Sequence, residues 1–449
     1  MIGVSLSRWT MSYFAAALLA LLAAKALMAA GWGYPSAALS APETLILVHV
    51  AAIGWLSLLM CGALLQFVPV LLAQPLHSDA LALPALVALV AGLAALILGF
   101  LQLGSRVDPA VRFLAVAAAL LSLGFVLILW NLGRTFATAK APPVSARFVA
   151  VGLASLVAAI ALGAVFALTL GGTVDGAPLL TLTATGLSIH VVAGLGGWLT
   201  FTAVGVSYRL LAMFMLAPNL ERATTKGALY LGAAALAVAI VGGVAATLAG
   251  TGPGPALLAA FAIGLLALAL YGVDIVHLYR ARKRRIIELN SRMAGFGLVS
   301  LAASAAVAAA LIAFGRLAEH AGALVFLAAF GWLSGLGLSQ LYKIVAFLTW
   351  LETYGPVLGK TQTPRVQDFV VERRALKWLG VYFGAVWAGA LSLLAGFPPS
   401  FRLAAAAMLV ATVGILAQLV RTRRLSDVKV ATRFPQSAHR PRLLRSSHP

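Results

Sequence analysis

The sequence predicts an all-α integral membrane protein with about twelve transmembrane helices, arranged as three four-helix arcs in a pseudo-threefold, parallel repeat. Three observations predict this fold class. Hydrophobic residues make up 62% of the 449 residues and charged residues only 10%, a balance that soluble domains do not show. Apolar runs long enough to cross a bilayer recur along the whole chain. One tryptophan motif occurs three times, each time four runs further on.

Each predicted helix is an apolar run of about 20 residues, the length that spans a hydrocarbon core of about 30 Å. Only short polar segments separate the runs, so no soluble domain fits between them. The first run is too long for a signal peptide and lacks a clean cleavage site, so we expect a retained helix. The runs begin near Met11, Thr44, Ala80, Pro109, Arg147, Leu182, Thr225, Pro255, Met293, Glu319, Ala375 and Arg402.

The formal net charge of +20 is explained by where the basic residues lie. They cluster after even-numbered runs, as in residues 280–285 and 421–429, whereas the alternate segments carry few. Cytoplasmic loops of membrane proteins hold such an excess of Lys and Arg. We therefore expect a multi-pass protein of a bacterial-type inner (cytoplasmic) membrane, with both termini cytoplasmic and no nucleic-acid partner. The single cysteine, Cys61, lies inside a run, which excludes a disulfide framework.

The repeated motif is Gly-Trp-Leu followed by Ser or Thr, at residues 54–57, 197–200 and 331–334. Trp198 follows Trp55 by 143 residues, and Trp332 follows Trp198 by 134 residues. The motifs lie in runs two, six and ten, so the repeating unit is four helices, and an even unit keeps its orientation in the membrane. The predicted membrane domain, residues 1–421, divides into repeats at about 11–133, 147–279 and 293–421. The basic tail, residues 422–449, is expected to be disordered and cytoplasmic.

Two histidines inside membrane runs are the first candidate functional residues. His49 is expected roughly a turn and a half below the outer surface, and His190 at a similar depth. A histidine within a membrane helix is energetically unfavourable unless it has a partner, which favours a functional role.

Twelve helices in three arcs, with a histidine-bearing second helix that ends in Val68-Pro69, resemble subunit I of the heme-copper oxidases. That superfamily includes the nitric oxide reductases. The resemblance covers the scaffold from about Met11 to Arg421. It implies that His49 takes the place of an axial ligand to the low-spin heme near the outer face.

The departures from this family concern the metal ligands. At the places of the His-x-His pair of the tenth helix stand Leu324 and Phe326, which cannot bind iron. His190 lies nearer the outer end of the sixth helix than the family's copper ligand, and residues 225–250 of the seventh run contain no histidine. The resemblance therefore implies no copper, no intact oxygen- or nitric-oxide-reducing centre and at most one b-type heme.

Each candidate residue has two interpretations. His49 is either a heme ligand or a residue that hydrogen-bonds between helices, and His190 either completes a bis-histidine pair with His49 or has no ligand role. Arg402 and Lys25 bind heme propionates, as arginines near the last helix do in the family, or anchor helix ends at the membrane interface. His320, beside Glu319, is most simply an interfacial residue.

The leading functional hypothesis is a protein with one b-type heme that acts in electron transfer, in nitric oxide or heme handling, or as an accessory to another respiratory or redox membrane subunit. It is not expected to be a complete terminal oxidase. The alternative is a cofactor-free membrane scaffold or permease that retains the oxidase-like fold. Asp274, near the end of the eighth run, is the acidic residue that could begin a proton path.

Overall fold

The computed structural model describes residues 7–106, 111–434 and 440–446. All regular secondary structure in these ranges is helical, and twelve of the described helices are long and apolar enough to cross a membrane. The predicted all-helical membrane class and the number of spans are therefore confirmed. In chain order, helices α1 to α12 are Thr10–Ala30, Pro42–Leu72, Ala82–Leu103, Phe113–Ala137, Val144–Leu170, Leu187–Met215, Ala223–Leu248, Gly254–Arg280, Leu289–Ala313, Leu317–Val357, Glu372–Leu394 and Pro398–Arg423.

The helices form two compact units. The middle unit is Leu64–Ile286, and the terminal unit combines Ser7–Ala63 with Ile287–Pro449. The predicted second repeat lies in the middle unit and the third in the terminal unit, while the first is divided between them. The arrangement of the three repeats about a common axis stays a prediction.

The connection between α1 and α2 positions the helix that carries His49. Gly31 ends α1 because it adopts a positive φ of 76°, and Trp32 donates its backbone N–H back to the carbonyl of Leu27. A left-handed glycine at this place is a common helix stop. Pro42 opens α2, where its missing N–H costs nothing because the first turn has no acceptor for it.

The tryptophan motif coincides with a change in helix geometry. Four π-helical segments occur in the described residues, and three of them, Val50–Ser57, Val192–Phe201 and Leu327–Leu333, contain the Gly-Trp-Leu of a motif. The fourth is Val238–Gly242. π-Helical turns are rare and often lie at functional sites. The repeated motif therefore marks a backbone feature in α2, α6 and α10.

Glycines allow close helix contacts in both units. A Cβ on Gly205 of α6 would lie 2.5 Å from the Cβ of Phe148 on α5, and a Cβ on Gly337 of α10 would lie 2.6 Å from a methyl group of Leu59 on α2. Such approaches are typical of helices packed in lipid, where small residues let backbones come together.

The described start of the tail packs on the ends of the last helices. Leu425 and Val428 are buried in a cluster with Tyr354 and Phe369, and the Tyr354 hydroxyl donates a 2.8 Å hydrogen bond to the carbonyl of Arg433. This packing differs from the disorder that the sequence predicts for residues 422–449. The physical reason is that Leu425 and Val428, two apolar residues within a basic segment, are buried against the helix ends. Residues 435–439 and 447–449 lie outside the described residues.

Asp427 ties this segment to α11 and α12. Its carboxylate accepts hydrogen bonds from Arg421 at 2.7 Å and from Arg374 at 2.8 Å. The Arg421 guanidinium, assisted by Arg374, holds the pKa of Asp427 below its ordinary value.

This lowered pKa predicts an acid-sensitive contact. A carboxyl whose pKa is lower in the folded state stabilises the fold above its unfolded pKa of about 3.9 and loses that effect as pH falls below it. We expect Asp427→Asn to lower the melting temperature at pH 7, with the difference from wild type shrinking below pH of about 4. Thermal unfolding in detergent at several pH values measures this, and a difference that does not change with pH would contradict it.

Candidate functional site

His49 lies on α2 immediately before the π-helical segment Val50–Ser57. Its Nδ1 is 2.7 Å from the carbonyl oxygen of Leu45. Because a carbonyl can only accept, Nδ1 carries the proton and donates it, and the lone pair of the ring is on Nε2. Histidines that bind metals in proteins commonly donate their other ring N–H to a backbone carbonyl in this way. The local structure therefore sets the tautomer that iron ligation through Nε2 requires.

On the C-terminal side of His49, α2 is in direct contact with α10. The indole N–H of Trp55 donates to the hydroxyl of Ser334 at 2.7 Å, and that hydroxyl donates to the carbonyl of Ala329 at 2.7 Å. His49 precedes Trp55 by six residues along α2. α2 is therefore held against α10 at a point that follows His49 in the chain.

Apolar side chains occupy the two positions of α10 at which the resemblance implies a histidine pair in the family. Phe326 is buried and packs against Phe330, with ring centroids 5.2 Å apart, and edge-on against Phe401 at 5.3 Å. Gly389 gives it room, since a Cβ there would lie 3.1 Å from the ring. Leu324 is half-buried in the turn before. This part of α10 supplies no ligand for iron.

Arg402 lies near the start of α12 and is exposed. Its Nε donates to the carbonyl of Ala29, at 3.3 Å, in the last turn of α1, and its side chain covers Gly31. A cation is stabilising at the C-terminal end of a helix. Arg402 therefore caps the C-terminal end of α1. Because its Nε is engaged in that contact, a heme propionate would bind through its Nη nitrogens.

His190 lies in the middle unit, near the start of α6. Its ring meets the edge of Phe166, with centroids 5.5 Å apart, and rests against Gly163, where a Cβ would be 3.2 Å away. One turn further along α6, a Cβ on Gly194 would meet no atom within 4 Å, and one on Gly196 would meet only Val192 at 3.6 Å. The helix surface beside His190 is therefore open at Gly194. The pairing of His190 with His49 on one iron stays a prediction.

His320 lies in the first turn of α10 and has an acidic neighbour. Its Nε2 is 3.5 Å from Glu319, and Glu319 also pairs with Arg316 at 2.8 Å. These contacts fit the interfacial role expected for His320.

Lys25 is not an interface anchor. The structure excludes that alternative because the side chain is 0% exposed. Its ammonium donates to the Thr412 hydroxyl and lies 4.3 Å from the centroid of the Tyr382 ring, a cation–π geometry. Sequence reasoning missed Thr412 and Tyr382, and no spacing rule connects them to Lys25.

Asp274 is another ionisable residue whose side chain is buried within a span. Its carboxylate accepts hydrogen bonds from the hydroxyls of Tyr208 at 3.0 Å, Thr225 at 2.7 Å and Thr224 at 2.5 Å. Arg222 approaches to 3.9 Å. Because Thr224 and Thr225 lie in the first turn of α7, the carboxylate also sits at a helix N-terminus, where negative charge is favoured. The three hydroxyls join α6, α7 and α8, and this ring of contacts accounts for Asp274 as a structural group.

Within the ranges that the structure describes, no three His, Cys, Asp or Glu side chains come close enough together to hold a metal ion. A single heme axial ligand is not a group of this kind, so the finding leaves His49 as a candidate.

The fold and its apolar helices define a multi-pass membrane protein whose spanning helices contact lipid. No protein-family model matches the sequence, and no curated protein matches it.

Proposed function

We propose that this protein is a heme-copper-oxidase-like membrane protein that binds one b-type heme through His49 and has no binuclear oxygen- or nitric-oxide-reducing centre. It acts in electron transfer, in heme or nitric oxide handling, or as an accessory to another redox subunit. The observation that carries the proposal is the hydrogen bond from His49 Nδ1 to the Leu45 carbonyl, which leaves the lone pair on Nε2.

The roles of the chain's own residues follow from this. His49 holds the iron, and the Leu45 carbonyl fixes the orientation of the imidazole. Arg402 presents Nη donors to a propionate at the end of α1. Phe326 and its aromatic neighbours exclude water from the α10 side. A bound b-type heme supplies a one-electron redox couple.

The cofactor-free scaffold or permease is the second candidate, and one observation favours it. Phe326 packs against Phe330 and Phe401, at a place where the oxidases that this chain resembles carry an iron ligand on the tenth helix. A tightly packed apolar cluster needs no cofactor for its stability.

A difference spectrum of the purified full-length protein separates the two candidates. We expect the reduced-minus-oxidised spectrum of protein from heme-replete cells to show the Soret and α bands of a b-type heme. A protein without these bands would overturn the heme proposal and leave the scaffold. Copper in the same preparation, together with oxygen consumption, would overturn the absence of a binuclear centre.

A further inference from the structure

The start of α11 and the end of α12 form a strongly basic surface. Arg374 in the first turn of α11 and Arg421 in the last turn of α12 both donate to the carboxylate of Asp427, so these two ends are neighbours. The cations that they carry are Arg373, Arg374, Lys377, Arg421 and Arg424. We call this set the α11–α12 basic groove.

Few acidic groups neutralise the groove. Asp427 is bound by both Arg374 and Arg421, yet the side chains of these arginines are still 43% and 44% exposed, against 8% for the aspartate. The Glu372 carboxylate accepts a hydrogen bond from the backbone N–H of Leu289, at the start of α9. The groove therefore keeps a net positive charge and exposed donors.

An open apolar face continues from the cations along α11. Lys377, Gly380 and Gly384 follow one another at helical spacing on one face, and a Cβ at either glycine would meet no atom within 4 Å. Val381 beside them is 41% exposed. The two glycines lie about 5 and 10 Å beyond Lys377 at 1.5 Å per residue, within the half-thickness of about 15 Å that one lipid leaflet's chains occupy.

We propose that the α11–α12 basic groove binds one anionic phospholipid. Its headgroup phosphate pairs with Arg373 and Lys377, and one acyl chain lies on the face of Gly380 and Gly384. Charge complementarity selects the anionic headgroup, and the missing side chains make room for the chain. The site does not depend on the proposed heme.

Native mass spectrometry of the full-length protein in detergent, with phosphatidylglycerol or phosphatidylcholine added, tests this site. We expect wild type to bind phosphatidylglycerol more tightly than phosphatidylcholine. Each cation near a lipid surface contributes about a factor of five, so Arg373→Gln with Lys377→Gln should weaken phosphatidylglycerol binding about 30-fold. Gly380→Leu with Gly384→Leu should weaken it too, although the charge is unchanged.

The matched control is Arg280→Gln with Arg285→Gln, which removes the same charge from two exposed positions, one at the end of α8 and one five residues beyond it. This variant should bind phosphatidylglycerol as wild type does. The proposal is overturned if the control loses as much binding as the groove variant, if the glycine variant binds normally, or if the two lipids bind equally well. If a water-soluble glycerol phosphate bound as tightly as the lipid, the proposed contact between an acyl chain and the face of Gly380 and Gly384 would also be overturned.

Discussion

Replacement of His49 by alanine is expected to abolish the heme spectrum of the purified protein. Iron would lose its proposed ligand, and the alanine leaves no other donor at that place. His49→Asn tests ligation separately from folding, because an asparagine amide N–H can still donate to the Leu45 carbonyl that His49 contacts at 2.7 Å. We expect both variants to lack the Soret band while eluting as folded monodisperse protein. The measurement is heme absorbance per protein.

His320→Ala is the matched control. It removes another imidazole of the terminal unit, one whose contact with Glu319 at 3.5 Å accounts for it. Its spectrum should equal that of wild type. A normal spectrum in His49→Ala would remove His49 from the proposal. His190→Ala tests the predicted second ligand. If His49 alone holds the iron, as proposed, the spectrum of this variant should equal that of wild type, whereas a change in the spin state of the iron would show that His190 is a second axial ligand.

Replacement of Glu352 by glutamine is expected to destabilise the terminal unit by about 3–5 kcal/mol, because it leaves a buried charge without its counter-ion. Glu352 on α10 pairs with Arg423 on α12 at 2.9 Å, and both side chains are only 4% exposed. Arg423 also donates to Thr349 and to the carbonyl of Arg442 in the tail. The variant should therefore loosen the tail together with the two helices. Unfolding by denaturant titration in mixed micelles measures the change.

Two variants make this prediction sharper. Glu319→Gln breaks the exposed pair with Arg316, in which the Arg316 side chain is 57% and the Glu319 side chain 58% exposed, and it should change stability far less than Glu352→Gln does, because solvent screens exposed pairs. Glu352→Leu combined with Arg423→Met removes both buried charges and should recover most of the lost stability, since apolar pairs often replace buried ion pairs without loss. Equal effects of Glu352→Gln and Glu319→Gln would contradict the buried-pair argument.

The spans were predictable because bilayer thickness dictates the length of an apolar run, whereas their ends depend on local chemistry. The last helix was expected near Arg402 and begins at Pro398, since proline is tolerated in a first helical turn. Arg402 thereby lies within α12, where its side chain reaches back to α1.

Contacts between distant residues were not predictable. Lys25 and Thr412 are separated by 387 residues, and no periodicity relates them. Asp274 could be recognised as a buried acid, but its hydroxyl partners Thr224 and Thr225 carry only the weak signal of polar residues at a helix start. Phe326 shows the opposite case: the sequence identified it as unable to bind iron, and only the structure shows its packing against Phe330 and Phe401.

The π-helical segments of α2, α6 and α10 have a consequence for any experiment that scans these helices. A π-helical turn contains more residues than the 3.6 of an α-helical turn, so each residue in it turns the chain through a smaller angle about the helix axis. A helical wheel drawn through α2 is therefore in phase for His49 and out of phase from Trp55 onward. Two positions that an α-helical wheel places on one face therefore point to different neighbours when one lies before the tryptophan motif and the other after it. In a scan of single substitutions along these helices, the periodic pattern of stability changes should shift in phase at the motif.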